Sequence, residues 1–282
     1  MRQTQGMAHL FIFGLGYSAK RIRAAAEARG WQVTGTGSQG DLAFADEAGV
    51  RAALTQATHV LSSVPPSEQG DPVLDTYGAW LAHPWLGYLS STGVYGDLGG
   101  AWADESAPIG QGRRTARSLA DAAWLERGAR VFRLPGIYGP GRSALDRVMQ
   151  GKAHRIDLTD QVFSRVHVDD IASGVMAGFD GPPGAYNLAD DMPCSQNLVI
   201  EEACRLLGRP FPPLLTLDEA GLSPVARGFY AENRRIANGK AKRVLGWRPT
   251  YPDYRIGLRA LSATTSPTMA SAPPAAASQD QR

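Results

Sequence analysis

Residues Leu10 to Ile22 read LFIFGLGYSAKRI, a short apolar run that passes through two glycines into a helical pattern. Gly14, Gly16 and Ala19 fit G-x-G-x-x-(G/A). In that spacing the first glycine makes a tight turn, the second lets backbone approach a pyrophosphate, and the third small residue packs helix on strand. Tyr17 and Ser18 would start the helix, whose free N–H groups and partial positive charge favour an anion. Ala19, Ile22, Ala25 and Ala26 recur at helical spacing, Gly30 stands where the helix would end, and Trp31 to Thr36 predicts a second strand. Strand, glycine turn, helix and strand make the βαβ unit that this fingerprint requires.

Working outward, a site that prefers NAD places Asp or Glu at the end of the second strand, on the ribose 2′-OH. Here that place is Thr36-Gly37-Ser38. The missing carboxylate removes a repulsion of a 2′-phosphate and favours NADP, with Lys20 and Arg21 adding positive charge, while Asp41 keeps NAD as the alternative. Thr36 and Ser38 therefore join Gly14, Gly16, Tyr17, Ser18 and Ala19 as expected cofactor contacts. Asp41 to Phe44 predicts a short third strand and Val50 to Leu54 lies on a predicted helix. His59 to Val64 predicts a strand that stops at Pro65-Pro66, which sets Ser63 and Val64 beside the cofactor. Leu86 to Ser91 and Val131 to Leu134 predict two more. Strands alternating with helices imply an α/β fold, a Rossmann doubly wound parallel sheet covered on both faces.

Composition bounds the rest. The chain has 282 residues, 43% of them apolar, and a net charge of 29 minus 27, or +2, with its basic residues scattered. That scatter predicts no nucleic-acid partner. No apolar run is long enough for a membrane helix or a signal peptide, so the expectation is a cytoplasmic protein with no membrane partner. Cys194 and Cys204 lack any metal or disulfide spacing, so no metal is predicted and both thiols are expected reduced. From Ser262 the chain is Ala/Pro/Ser/Thr-rich and reads as a disordered tail, and residues 1–7 read as a flexible N-terminus.

Beyond the glycine turn, Tyr88 to Asp97 reads YLSSTGVYGD and is followed by Asp104-Glu105. It resembles the extended short-chain dehydrogenase/reductase family of epimerases and dehydratases, in which a strand ends in Ser-Ser/Thr-x-x-Val-Tyr-Gly. Arg133 to Gly141 (RLPGIYGPG) is similar to that family's loop after the sixth strand. Val166 to Ala172 (VHVDDIA) resembles its later strand and helix cap, and Lys242 to Trp247 (KRVLGW) its C-terminal helix ending. The resemblance spans about residues 8 to 260. It implies a dinucleotide-binding domain over 8–184, with Pro135 and Ile137 at the cofactor and residues 136–165 contributing to a smaller C-terminal α/β substrate lobe over 185–261. It also implies a small-molecule substrate and a homodimer. On the residues themselves, Asp169 or Asp170 caps a helix with Ile171, Ala172, Val175 and Met176 on its apolar face, and His167 is a packed structural histidine.

In the family a Tyr and a Lys four residues later carry the chemistry, with a Ser or Thr holding the substrate hydroxyl. Ser91, beside Thr92, falls in the Ser/Thr position, but none of the nine tyrosines has Lys four residues on. Alignment on the helix Ser118 to Leu125 puts Arg113 at the Tyr position and Arg117 at the Lys position, where Arg117 can still bond a ribose. Guanidinium stays protonated, so Arg113 is no ordinary acid or base. Three readings stay open. Tyr95, Tyr138 or the Ser91/Thr92 pair moves the proton of an oxidoreductase or epimerase-like reaction; the chain is a non-catalytic NAD(P)-binding regulator or sensor; or Arg113 and Arg114 clamp an anionic substrate. Arg142, Arg165, Arg234 and Arg235 are the other expected substrate contacts, since guanidinium matches oxyanions bidentately.

Overall fold

Leu10 to Phe13 are wholly buried because the strand they form is flanked on both sides within a sheet that carries a layer on each face, so successive side chains enter different cores. Leu10 and Ile12 pack with Ala19, Ile22, Ile171 and Val175. Phe11 and Phe13 pack with Val50, Leu54, Tyr77 and Trp124. A computed structural model describes residues 8–110, 112 and 115–265, without the side chains of Val225 and Thr265. The predicted N-terminal and C-terminal tails thus lie outside the described residues, apart from 262–265.

The main sheet holds β1 (His9–Phe13), β2 (Gln32–Gly35), β3 (His59–Ser62), β4 (Trp85–Ser91), β5 (Arg130–Leu134) and β6 (Gly184–Asn187). Their order is β6-β5-β4-β3-β1-β2 and every pairing is parallel. The helices are α1 (Tyr17–Glu27), α2 (Glu47–Gln56), α3 (Pro72–Tyr77), α4 (Thr115–Glu126), α5 (Ala144–Met149), α6 (Val168–Ala177), α7 (Gln196–Leu206), α8 (Pro224–Phe229), α9 (Gly239–Val244) and α10 (Tyr254–Thr265). Three two-stranded parallel pairs complete the fold. Gly136–Tyr138 pairs with Arg165–His167, Trp102–Ala103 with Arg235–Ile236, and Arg155–Ile156 with Leu214–Leu215. A separate cluster of Leu145, Val199, Ile200, Tyr254 and Leu258 packs α5, α7 and α10 together.

The structure departs from the sequence expectations at three places. The third strand predicted over Asp41 to Phe44 is a single bridge between Thr36 and Leu42. Asp41 turns its carboxylate back onto the Gly35 N–H at 2.8 Å and the Arg23 guanidinium at 2.9 Å, closing a loop where a strand would extend. Neither Asp169 nor Asp170 caps α6. His167 does, its Nδ1 accepting the Asp169 N–H at 3.2 Å, while Asp170 accepts the Thr250 and Tyr251 N–H groups at 2.6 and 3.0 Å and so ties down the C-terminal segment. Finally, α10 runs past Ser262 to Thr265, because Tyr254, Leu258 and Leu261 bury one of its faces. Cys194 and Cys204 are buried and free.

Candidate functional site

The glycine turn is held from below. Gly14 takes φ +82, where a side chain is strained, and a Cβ there would sit 3.0 Å from Val64 Cγ2 and 3.2 Å from Ser63 Oγ. The Gly14 N–H donates to Thr36 Oγ1 at 3.1 Å, the Leu15 N–H to the Thr36 carbonyl at 2.7 Å, and Ser63 Oγ to the Gly14 carbonyl at 2.5 Å. Thr36, 1% exposed, is thus a clasp for the turn, and Val64 is its packing. Gly16 differs from Gly14: its φ is −80 and a Cβ there would meet nothing within 4 Å. The fold does not need glycine at that position, and the space it leaves lies on a cavity. Above it, α1 starts with no side-chain cap and no acid in its first turn, so its first N–H groups and positive dipole end stay available.

The strand ends beside this turn are fixed by a buried network. Arg133 on β5 donates to both carboxylate oxygens of Asp121 on α4, at 2.7 and 3.1 Å, and to Tyr95 Oη at 3.0 Å. Ser90 Oγ donates to the same Asp121 at 2.6 Å, and Tyr95 Oη donates to Asn187 Oδ1 on β6 at 2.7 Å. Ends of β4, β5 and β6 are so joined to α4. Immediately past them, Ser91 Oγ accepts the Gly93 N–H at 3.1 Å and starts a short 3-10 turn over Thr92–Tyr95.

One cavity of about 690 Å³ runs over these ends, from Gly16 and the α1 N-terminus past Ser91, Thr92 and Arg117 to residues of the C-terminal part. That is the size of a small-molecule site. Tyr17, Ser18, Ala19, Ser63, Pro135 and Ile137 line it near the turn. Arg117 lines it from α4 and donates to Tyr88 Oη at 3.0 Å; burial pushes the Tyr88 phenol up to about 12. Arg142, Arg165 and Arg234 line it as well, and with them Arg147, His154, Gln196, Tyr230 and Glu232. Arg142 lies 5.7 Å from the Tyr17 ring, at the glycine-turn end. Arg234 is shared between Glu232 at 2.8 Å and the Gly96 carbonyl at 2.6 Å. Burial and then the Arg147 charge hold the His154 imidazole below its usual range, so it is neutral at pH 7.

Several expected residues lie elsewhere. Tyr95 is wholly buried in the Arg133 network and Tyr138 packs edge-on to His167 with its hydroxyl unpartnered, so neither lines the cavity. Burial raises both phenols. Arg235 donates to the Gly100 carbonyl away from the cavity, and Arg113 and Arg114 lie outside the described residues. Sequence reading missed Arg147, His154, Gln196, Tyr230 and Glu232, because nothing in their spacing marks them. A second recess of about 530 Å³ adjoins the turn, lined by Leu15, Gly16, Lys20, Arg21, Ser38 and Gln39 among others, with no carboxylate in its wall. Lys20 donates to Gln39, and Arg21 pairs with Asp169 at 3.4 Å, both half exposed.

The open space over Gly16 and the uncapped α1 N-terminus fit a dinucleotide phosphate. Among the described residues no group of His, Cys, Asp and Glu is placed to hold a metal ion, and no helix is long and apolar enough to cross a membrane. No family model matches the chain. A functionally unknown conserved protein from Silicibacter pomeroyi DSS superposes with a TM-score of 0.82 and 40% identity, over 92% of this chain and 99% of its own. Protein YeeZ of Escherichia coli (strain K12) is 26% identical over 287 residues, 88% of this chain and 97% of its own. The dTDP-glucose 4,6-dehydratase of Bacillus anthracis str. Ames, in complex with NAD, superposes with a TM-score of 0.71 at 16% identity, over 93% of this chain and 97% of its own. Human epimerase family protein SDR39U1, with NADPH, does so with 0.71 at 15%, over 90% and 99%. At those last two identities the likeness is one of fold.

Proposed function

The chain belongs to the family of the functionally unknown Silicibacter pomeroyi protein, on an extended short-chain dehydrogenase/reductase fold, and from that premise we propose that it is an NAD(P)-binding oxidoreductase or epimerase-like enzyme for a small anionic substrate. The observation that carries this reading is the single cavity that joins the glycine turn and α1 N-terminus to the arginine-lined C-terminal wall. In this reading the α1 N–H groups and Arg142 hold the phosphates, and Arg117, steadied by Tyr88, bonds the nicotinamide ribose. A bound nicotinamide supplies hydride exchange. Ser91 and Thr92 hold the reacting oxygen of the substrate, since Tyr95 and Tyr138 are buried away from the cavity. NADPH is the preferred cofactor, supported by the carboxylate-free recess at Lys20, Arg21 and Ser38 and by the engagement of Asp41 with Arg23 and Gly35.

Thermal unfolding with each dinucleotide at equal concentration tests the cofactor. NADPH should raise the Tm more than NADH does, because a ligand that binds only the native state stabilises it by mass action. No shift with either would end the reading. Substrate-dependent change in nicotinamide absorbance tests the enzyme. The second reading, a non-catalytic NAD(P)(H)-binding regulator, is favoured by the absence of Tyr-x-x-x-Lys, and it wins if the cofactor binds well while no candidate acid or sugar changes that absorbance.

A further inference from the structure

Arg165 is a buried cation with no carboxylate partner among the described residues. It is 6% exposed, and its guanidinium donates only to neutral acceptors. Nη1 reaches the Phe163 carbonyl at 2.8 Å and the Cys194 carbonyl and Sγ at 3.2 Å, while Nη2 reaches Gln196 Oε1 at 3.1 Å and the Ser195 carbonyl at 3.5 Å. Asp190, whose backbone N–H donates to the Arg165 carbonyl at 2.7 Å, feels the guanidinium charge without an ion-pair contact to it. Burial pushes that carboxyl up to about 7, so it offers at best a fraction of a charge at neutral pH. A charge left without a counter-charge in the interior is destabilising, and the usual remedy is a partner. Arg165 lines the cavity, so a ligand can supply it.

A second cation converges on the same end. Arg147, Arg165, His154 and Tyr230 all line this cavity, and both guanidiniums act on the Tyr230 phenol, which burial raises against their pull. Apolar groups line the cavity beside them: Tyr230 meets the Phe163 ring edge-on at 5.5 Å, and Leu222 and Ala226 lie in the same wall. The cavity of about 690 Å³ would also take the nicotinamide end of a dinucleotide, and a small molecule fits beside it.

We propose that Arg165 and Arg147 bind the carboxylate of a small organic acid whose flat apolar body lies against Phe163 and Tyr230. This rests on reading the cavity as the substrate site. The test titrates the full-length protein calorimetrically, with and without saturating NADPH, using 3-phenylpropionate, its neutral amide, phenyl phosphate and UDP-glucose. The acid should bind at least roughly tenfold more tightly than the amide, a charge-assisted pair being about twice as strong as a neutral one. Arg147→Gln, at an exposed position unlike Arg165, should reduce that preference severalfold, and Arg147→Lys should restore part of it. Equal binding of acid and amide, no binding of the acid, or tighter binding of phenyl phosphate or UDP-glucose than of the acid would overturn the proposal. NADPH binding without acid preference sinks this inference alone; acid preference without NADPH binding sinks the cofactor reading alone.

Discussion

The cavity has two walls, and each contains a buried arginine treated in the opposite way. On the sheet side, Arg133 and Asp121, 3% and 0% exposed, neutralise one another through two hydrogen bonds and bring Ser90, Tyr95 and Asn187 into the same network. Neither member of that pair lines the cavity, which on this side meets Gly16, Ser63, Ser91, Thr92 and the partly buried Arg117. On the C-terminal side, Arg165 is just as deep but is solvated by carbonyls, a thiol and an amide, so its charge stays uncompensated and faces the cavity. One wall uses its ion pair as a strut, and the other keeps its charge for something outside the chain. The lesson is that burial of an arginine says little by itself; the chemistry of its acceptors decides its role.

The sharpest way to break this contrast is on the strut. Asp121→Asn leaves Arg133 buried without its counter-charge and should lower the unfolding free energy by about 3–5 kcal/mol in urea titrations. A loss under about 1 kcal/mol would mean the network does not hold the sheet side together. Next in size is a pH effect on the opposite wall. Asp190 is faced by Arg165, which lowers its pKa, and by Asp191, Asp253 and Tyr138, and burial still raises it to about 7. Because the folded state holds that proton more tightly than the unfolded chain, the stabilisation is complete below the unfolded value of about 3.9 and is lost as pH rises through about 7, roughly 2–4 kcal/mol in all. Comparison of wild type with Asp190→Asn at pH 5 and pH 8 checks this: the variant should gain clearly more relative stability at pH 8 than at pH 5.

Arg165→Met should cost less than the change at Asp121, about 1–3 kcal/mol, since it orphans carbonyl acceptors but strands no charge. If it destabilises as much as Asp121→Asn in the same titration, the two walls are not different in kind. The smallest effect on the fold belongs to Gly16→Ala, whose methyl meets nothing within 4 Å at a permitted φ. Stability should stay within about 0.5 kcal/mol while NADPH affinity falls roughly tenfold or more by fluorescence titration, because the methyl occupies ligand space. Unchanged affinity would remove Gly16 from the phosphate site.

How far the sequence reached differs between the walls for the same reason. Gly14, Gly16 and Ala19 act over one turn of chain, so their spacing carries the geometry of the site, and Ser91 and Thr92 follow directly on a buried strand. The alternation of strands and helices likewise announced a parallel sheet and five of its six strands, while Gly184–Asn187 went unread. Tyr95 and Tyr138 looked as eligible as Ser91 on paper. Which of them meets the cavity depends on Arg133, Asn187 and His167, partners from 29 to 92 residues away. Arg147 and His154 carried no mark at all, because their neighbours in space, Arg165 and Tyr230, come from other parts of the chain.

Local backbone chemistry thus determined, from sequence alone, a dinucleotide-type glycine turn in an extended short-chain dehydrogenase/reductase fold. Tertiary structure alone decided which buried arginine is paired with a carboxylate and which is held by neutral acceptors only. Turn geometry is set by residues a few bonds apart. The fate of a charge is set by whatever acceptors the folded chain brings within about 3 Å of it, and those have no fixed place in the sequence.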